Sequence, residues 1–343
     1  MATTQPFEFR RTRDFGESFS ALFEFLRQNW KNLSKSLVLI AGPLILILGV
    51  GGGFLLSEVI STFQRTTLNS LNFTENIGII SLESIVLVIT YFLTGAAILA
   101  ITTEYIKLTM DGYVEEFEVS YLWAKISSHF SMHISNFIII NVVSLAISVP
   151  FFILYAMSAL VGGLGGGVGV VVAGFLLFIF VGMPVSVYVA TMLSLFPMMR
   201  MTENIEAIAG IKRCFYLIKS NFWVTFGYYF VVSMIQGTVG VIFMIPLYVL
   251  YFVAIITIIP QAGHSADGSD LFNVGIGYQI AFTVAGVIAV GGSLLLNAMT
   301  ITAHALQYFN LVERKEGVGM MAKLDLLGTP ENPTLDLDNN EDY

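Results

Sequence analysis

The sequence has few charged residues and only one cysteine. Charged residues make up 12% of the 343 positions, against about 25% in an ordinary soluble domain. The 56% of hydrophobic residues are more than a globular core of this size can bury, so much of the chain must face lipid. The single Cys214 excludes an internal disulfide and a cysteine-based metal cage. Residues 1–35 also lack the apolar stretch and cleavage site of a signal peptide.

Long apolar runs are abundant by contrast, and a helix needs about 20 apolar residues to cross a bilayer. Six runs reach that length: 36–58, 78–103, 134–160, 168–199, 222–259 and 272–309. Dividing the fifth run would require a turn at Pro246 with almost no loop, so we predict one span there. Whether residues 247–260 cross the membrane, lie in its interface or project beyond it stays open at this point.

The positions of the cations predict an orientation. Fifteen of the 16 Lys and Arg residues fall on one side of the membrane if there are six spans. Such residues are concentrated on the cytoplasmic side of membrane proteins. The sequence therefore predicts a protein of the bacterial cytoplasmic membrane with both termini in the cytoplasm. Residues 310–343 are rich in acidic residues and are predicted to be a disordered tail.

A repeated pattern precedes three of the spans. Apolar residues at helical spacing begin at Phe15 and continue through Trp30. Similar stretches recur 100 and 192 residues later, so that positions 129–130 and 221–222 correspond to 29–30. We therefore predict an all-α fold, a polytopic membrane helical bundle of six transmembrane helices. It would contain three repeats of an amphipathic helix plus a transmembrane hairpin.

The three amphipathic segments carry aromatic and basic residues. Such a helix can lie on an anionic membrane surface, with its apolar stripe among the headgroups. The alternative is that the helices pack against the hairpins and close the end of the bundle. The predicted lipid-interface residues are Trp30, Lys31, Lys35, Lys125, Phe130, Lys212, Arg213, Lys219, Phe222 and Trp223.

Several short motifs carry a family resemblance. They are LFP at 195–197, EN at 203–204, IAGIKRCF at 208–215, IKSNFW at 218–223 and YFNLVERKEG at 308–317. Together they resemble the membrane domain attached to some glycerophosphodiester phosphodiesterases, a family that also includes stand-alone bacterial integral membrane proteins. The resemblance implies a helical membrane domain. It supplies no catalytic residue, because no soluble stretch is long enough for that family's catalytic barrel.

Polar residues inside the predicted spans indicate a second possible function. Buried ionisable and amide groups are costly in a membrane and often mark a binding site. A small-solute transporter or permease would gather Glu83, Asn141, Gln236 and Asn297 around a cavity. Hydrogen bonding between helices is the alternative role.

The histidines indicate a third possibility. His129 and His133 have the i, i+4 spacing that lets two imidazoles share a metal ion, and His304 falls near the same membrane side. These three would serve a metal-dependent membrane enzyme. Against this hypothesis, no HExxH motif is present, and the residues matching His129 in the repeats are asparagines.

Glycine clusters predict close packing and a turn. Gly49, Gly51, Gly52 and Gly53 would let a neighbouring helix approach span 1 closely. The run 162–169 is predicted to be a hairpin turn, because it lacks the Lys-Ser/Thr of a phosphate-binding loop.

The function favoured by the sequence is a non-enzymatic accessory, scaffold or lipid-associated membrane protein that needs no cofactor. Its predicted partners are membrane lipids and other membrane proteins, with no role for nucleic acid. The transporter and the metal-dependent enzyme remain the alternatives.

Overall fold

A computed structural model describes residues 7–68, 73–112, 118–258, 276–321 and 324. These residues form helices joined by short turns, with no β-strand among them. Short π-helical turns at Gly162–Gly166 and Phe178–Gly182 flank the fifth helix. The α-helices are α1 Phe15–Leu68, α2 Phe73–Met110, α3 Val119–Ser128, α4 Phe130–Val161, α5 Val168–Leu177, α6 Met183–Leu193, α7 Phe196–Glu203, α8 Ala207–Ile218, α9 Phe222–Ile258 and α10 Ile276–Glu316.

Among the described residues, six helical stretches are long and apolar enough to cross a membrane. This confirms the all-α fold class and the number of spans. The fifth span is a single helix, α9, that continues through Pro246, as predicted, while residues 259–275 lie outside the described residues. The stretches are Phe15–Leu55, Leu82–Met110, Phe130–Gly166, Val168–Glu203, Phe222–Val253 and Gly277–Glu316.

The centre of the bundle consists of α1, α2 and α10, with α9 against α10. In the most apolar part of these three central spans, 33%, 39% and 28% of the residues are buried. The corresponding values are 0% for Phe130–Gly166 and 6% for each of Val168–Glu203 and Phe222–Val253. The α4–α6 hairpin and α9 therefore expose apolar side chains over most of their surface, as lipid-facing helices do.

We call one end of the bundle the basic end: it holds the first half of the long helix α1, helices α3, α7 and α8, the first turns of α4 and α9, and the last turns of α2 and α10. Many fully buried apolar side chains lie there, including Leu22, Phe25, Leu122, Phe196 and Leu217. The apolar stripes of the amphipathic segments are thus divided. One edge of each stripe packs into the protein, and the other edge is exposed.

The amphipathic segments differ from one another at their junctions with the spans. Helix α3 ends at Ser128, and His129 separates it from α4, while residues 219–221 separate α8 from α9. The first segment has no such break, because α1 runs without interruption from Phe15. A continuous buried face that includes Phe25, Leu33 and Leu37 explains why the helix continues there.

The last helix extends beyond the predicted start of the tail. Residues 310–316 belong to α10 rather than to a disordered segment. Asn310 is buried and its Oδ1 accepts a hydrogen bond from the backbone N–H of Arg13 at 2.9 Å. Leu311 is also buried, so this segment completes the core of the basic end. Residues 322–323 and 325–343, which hold most of the predicted tail, lie outside the described residues.

The predicted close approach to span 1 is present between α1 and α10. A Cβ atom at Gly49 would lie 2.5 Å from Cα of Val287, and one at Gly53 would lie 2.6 Å from Cα of Thr283. Gly52 has open space instead. The two helix backbones therefore touch at Gly49 and Gly53, where any larger residue would push them apart.

Candidate functional site

A buried carboxylate joins three helices at the basic end. Glu104 near the end of α2 is only 1% exposed, and its Oε1 lies 2.6 Å from Nδ1 of His129 and 3.0 Å from Nε2 of His133. Because an ionised carboxylate only accepts hydrogen bonds, His129 must carry its proton on Nδ1 and His133 on Nε2. Since His129 lies between α3 and α4, Glu104 holds both helices against α2.

The structure does not bring His304 to this pair. Its ring lies against the ring of Tyr229 instead, at a centroid distance of 4.3 Å. The separations of 2.6 and 3.0 Å around Glu104 are those of hydrogen bonds, whereas ligands bound to zinc at about 2.0–2.1 Å stand roughly 3.3 Å apart. Among the described residues, no three His, Cys, Asp or Glu side chains are arranged to hold a metal ion.

Arg200 on α7 makes the second connection to α4. Its Nη1 donates to Oγ of Ser135 at 2.7 Å and to Oδ1 of Asn136 at 2.6 Å, and its Nε donates to the carbonyl oxygen of Ile205. The guanidinium also lies over the ring of Phe196. Glu104 and Arg200 together close the basic end between α2, α4 and α7.

Arg213 on α8 has an intramolecular role that the sequence did not predict. Its guanidinium donates to both carboxylate oxygens of Glu203 on α7 and of Glu316 on α10. The hydrogen bonds to Glu316, which have the largest effect, and to Glu203 raise the pKa of Arg213 above its ordinary value, although burial opposes the shift. Arg213 therefore joins three helices, whereas the sequence predicts a lipid contact for it.

Most of the other predicted lipid-interface residues are open to the surroundings. Trp30 and Trp223 are 56% and 78% exposed, and Phe222 and Lys125 are partly buried. Trp123 is also 55% exposed and belongs with this group, although it was not among the predicted residues. Trp123 occupies the same position in the predicted repeat as Phe23 and Phe215, which are also exposed. This match in the sequence could have identified it. The remaining exposed members are Lys31, Lys35, Phe130, Lys212 and Lys219.

A cavity of about 320 Å³ lies between α2, α4, α6–α7 and α10. It begins next to the contacts of Glu104 and Arg200, because Thr103 and Pro197 are among its lining residues. Its walls are mostly apolar, and none of the described residues that line it is acidic or basic. The polar lining residues are Thr103, Asn141, Ser144, Ser194, Asn297, Thr300 and His304.

Three of the four polar residues predicted for a transporter lie in or beside this cavity. Asn141 and Asn297 line it, and Gln236 donates from Nε2 to Oδ1 of Asn297 at 2.6 Å. Glu83 does not line it: the α2 lining begins at Gly95, twelve residues or about 18 Å further along the helix. The Oε2 atom of Glu83 is buried and has no hydrogen-bond partner among the described residues.

Comparisons of the chain with protein-family models, with curated proteins and with solved structures gave no match. The resemblance to the phosphodiesterase membrane domain therefore stays a prediction.

Proposed function

We propose that this chain is a non-enzymatic, lipid-associated protein of the bacterial cytoplasmic membrane that acts as an accessory or scaffold. In this proposal the basic end lies at the cytoplasmic surface. The observation that carries it is the position of the tryptophans: the chain has three, and all of them are more than half exposed at the basic end.

The chemistry of this surface suits the headgroup region of a membrane. Tryptophan is enriched at membrane interfaces, because its ring is apolar while its N–H group needs a hydrogen-bond acceptor. Lys31, Lys35, Lys212 and Lys219 are exposed on or beside α1 and α8 at the same end of the bundle. A basic residue near an anionic leaflet contributes about 1 kcal/mol, so the four lysines together could contribute up to about 4 kcal/mol.

The packing beneath this surface supports a scaffold role. Glu104, Arg200 and Arg213 link α2, α4, α7, α8 and α10 through buried or half-buried hydrogen bonds. These hydrogen bonds hold five helices together at the end of the bundle that carries the tryptophans and lysines. Such a surface is suited to holding lipids or a neighbouring membrane protein.

The test compares two sets of substitutions at the same four lysines. In one variant all four are changed to Glu, and in the matched control all four are changed to Arg. We expect the Glu variant to lose co-purified phosphatidylglycerol, measured by native mass spectrometry, because its charge repels the headgroup. The Arg control should retain it. Equal phosphatidylglycerol in both variants would contradict the proposal.

Neither alternative function has a comparable observation in its favour. A transporter built around Glu83 would require that residue to face the cavity. A metal-dependent enzyme would require His304 to join His129 and His133. In the described part of the chain neither arrangement is present.

A further inference from the structure

Several polar groups of the cavity have unused hydrogen-bonding capacity. Neither ring nitrogen of His304 has a hydrogen-bond partner among the described residues, although the ring lines the cavity. Asn141 uses its Nδ2 on the carbonyl oxygen of Phe137, which leaves Oδ1 free to accept. Asn297 accepts from Gln236 through Oδ1, which leaves Nδ2 free to donate. The three residues are partly buried and border the cavity, so a polar group of an occupant would complete their hydrogen bonds.

The cavity opens away from the basic end. Glu104 with its two histidines, and Arg200 with Asn136, close the space between α2, α4 and α7 on that side. Ala190 on α6 lines the cavity and is itself exposed, so the opening lies on the flank of the bundle. An occupant would therefore enter from the hydrocarbon of the membrane.

The lining also restricts the charge of the occupant. With no acidic or basic side chain in the walls, an ionised headgroup would be buried without a partner, which costs several kcal/mol. Hydroxyl, amide and imidazole groups can instead bind a neutral hydroxyl or carbonyl oxygen. A volume of about 320 Å³ is at the small end for ligand pockets and suits a polar head with the first part of one chain.

We propose that this cavity binds one uncharged membrane amphiphile, an apolar chain bearing a hydroxyl or carbonyl group that hydrogen-bonds to His304, Asn141 and Asn297. The rest of the chain lies along the exposed apolar face of the α4–α6 hairpin. The inference extends the lipid-associated function from the surface to the interior of the bundle. It depends on different residues from those of the lysine surface.

The first experiment uses the full-length protein in nanodiscs and a diacylglycerol with a photoreactive diazirine in its chain. Peptide mapping should place the label on cavity residues of α2, α4, α6 or α10. Unlabelled 1,2-dioctanoylglycerol should compete at least tenfold better than dioctanoyl phosphatidic acid, which has the same chains and a charged phosphate. Label spread evenly over the lipid-facing helices, or equal competition by the two lipids, would overturn the proposal.

Matched variants test the location. Ala190→Phe fills the cavity from an exposed position, whereas Ala146→Phe adds the same ring at an exposed position of α4 outside the lining. We expect Ala190→Phe to reduce the competed labelling at least tenfold and Ala146→Phe to leave it unchanged. Equal labelling of the two variants would overturn the assignment of the cavity.

A polar variant tests recognition of the head. His304→Phe keeps an aromatic ring against Tyr229 and removes both nitrogens. It should reduce the advantage of dioctanoylglycerol over 1,2-dioctyloxypropane, which has neither a hydroxyl nor an ester carbonyl, by about tenfold, which is about 1.4 kcal/mol. An unchanged preference would refute the role of His304.

The cavity and the lysine surface can fail separately. The four-lysine Glu variant should keep the cavity labelling, and Ala190→Phe should keep its co-purified phosphatidylglycerol. Loss of cavity labelling in the lysine variant would show that the label reports surface lipid, and it would overturn the cavity proposal alone.

Discussion

Glu104 contacts two histidines, and the nearer of the two is also the more exposed. Distance and burial therefore give opposite predictions about which histidine contributes more to stability. His129 is the nearer partner, at 2.6 Å against 3.0 Å for His133. Its side chain is 48% exposed, however, whereas that of His133 is 4% exposed. An exposed imidazole that loses its partner regains a hydrogen bond to water, but a buried one does not. We therefore expect His133 to be the partner that matters for stability.

The magnitudes follow from that difference. A buried hydrogen bond to a charged group contributes about 1.5–3 kcal/mol, which is the coupling energy that we expect between Glu104 and His133. An exposed ion pair contributes about 0–1 kcal/mol, which is the range that we expect for His129. Glu104→Ala alone should lower the free energy of unfolding by about 1–3 kcal/mol, because it leaves the buried imidazole of His133 without its hydrogen-bond partner.

Double-mutant cycles measure both couplings. Glu104→Ala would be combined with His133→Ala in one cycle and with His129→Ala in the other. Unfolding would be followed by SDS titration in mixed micelles at pH 7.5. A coupling to His129 as large as the coupling to His133 would refute the reasoning that burial outweighs distance.

Three further predictions concern packing, reactivity and the ion pairs. Gly53→Ala should destabilise the protein by about 1–3 kcal/mol in thermal unfolding, because its methyl group would overlap α10. The control Gly52→Ala, which lies in open space, should be neutral or slightly stabilising. Equal effects of the two substitutions would contradict the close approach of α1 and α10. Burial raises the pKa of the Cys214 thiol to about 12, so the thiol stays protonated at pH 8. Iodoacetamide should therefore modify Cys214 only after denaturation. Rapid labelling of the native protein would contradict this burial. Arg213→Gln should lower the free energy of unfolding by about 1–2 kcal/mol through its lost ion pairs, and Lys212→Gln, next to it but exposed, should change it by less than about 0.5 kcal/mol.

The number of spans could be predicted from the sequence, because the length of an apolar run depends directly on membrane thickness. The sequence could not predict that the helix breaks at His129 but continues through Asn29. These positions match in the repeat, and both contact α2: His129 bonds Glu104, while Asn29 accepts from the hydroxyl of Tyr105. Whether the helix stops there depends on buried packing around it, which a sequence pattern does not contain.

The candidate sites show the same limit. Sequence position gives the depth of a residue in the membrane but not the direction in which its helix faces. His304 has a depth similar to that of His133 but packs against Tyr229, so the three histidines do not meet. Glu83 was grouped with Asn141 on polarity alone, and the structure separates them along α2 and α4.

The transporter hypothesis predicted a cavity beside Asn141, Gln236 and Asn297, but it predicted neither its distance from Glu83 nor its remaining walls. Its lining combines residues from four segments, and only their packing produces the space. The sequence signal was limited to isolated polar residues such as Asn141 and Asn297 within apolar runs. Their hydrogen-bonding capacity became informative only when the structure showed which atoms were already used.

We propose that this protein holds lipid both at its basic end and inside the bundle. A cryo-EM map of the protein in nanodiscs of native lipids tests it most directly. We expect headgroup density beside Trp30 and Trp223, and elongated density in the cavity that ends within hydrogen-bond distance of His304 and Asn141. A collapsed or empty cavity, with no ordered headgroup at the basic end, would contradict it.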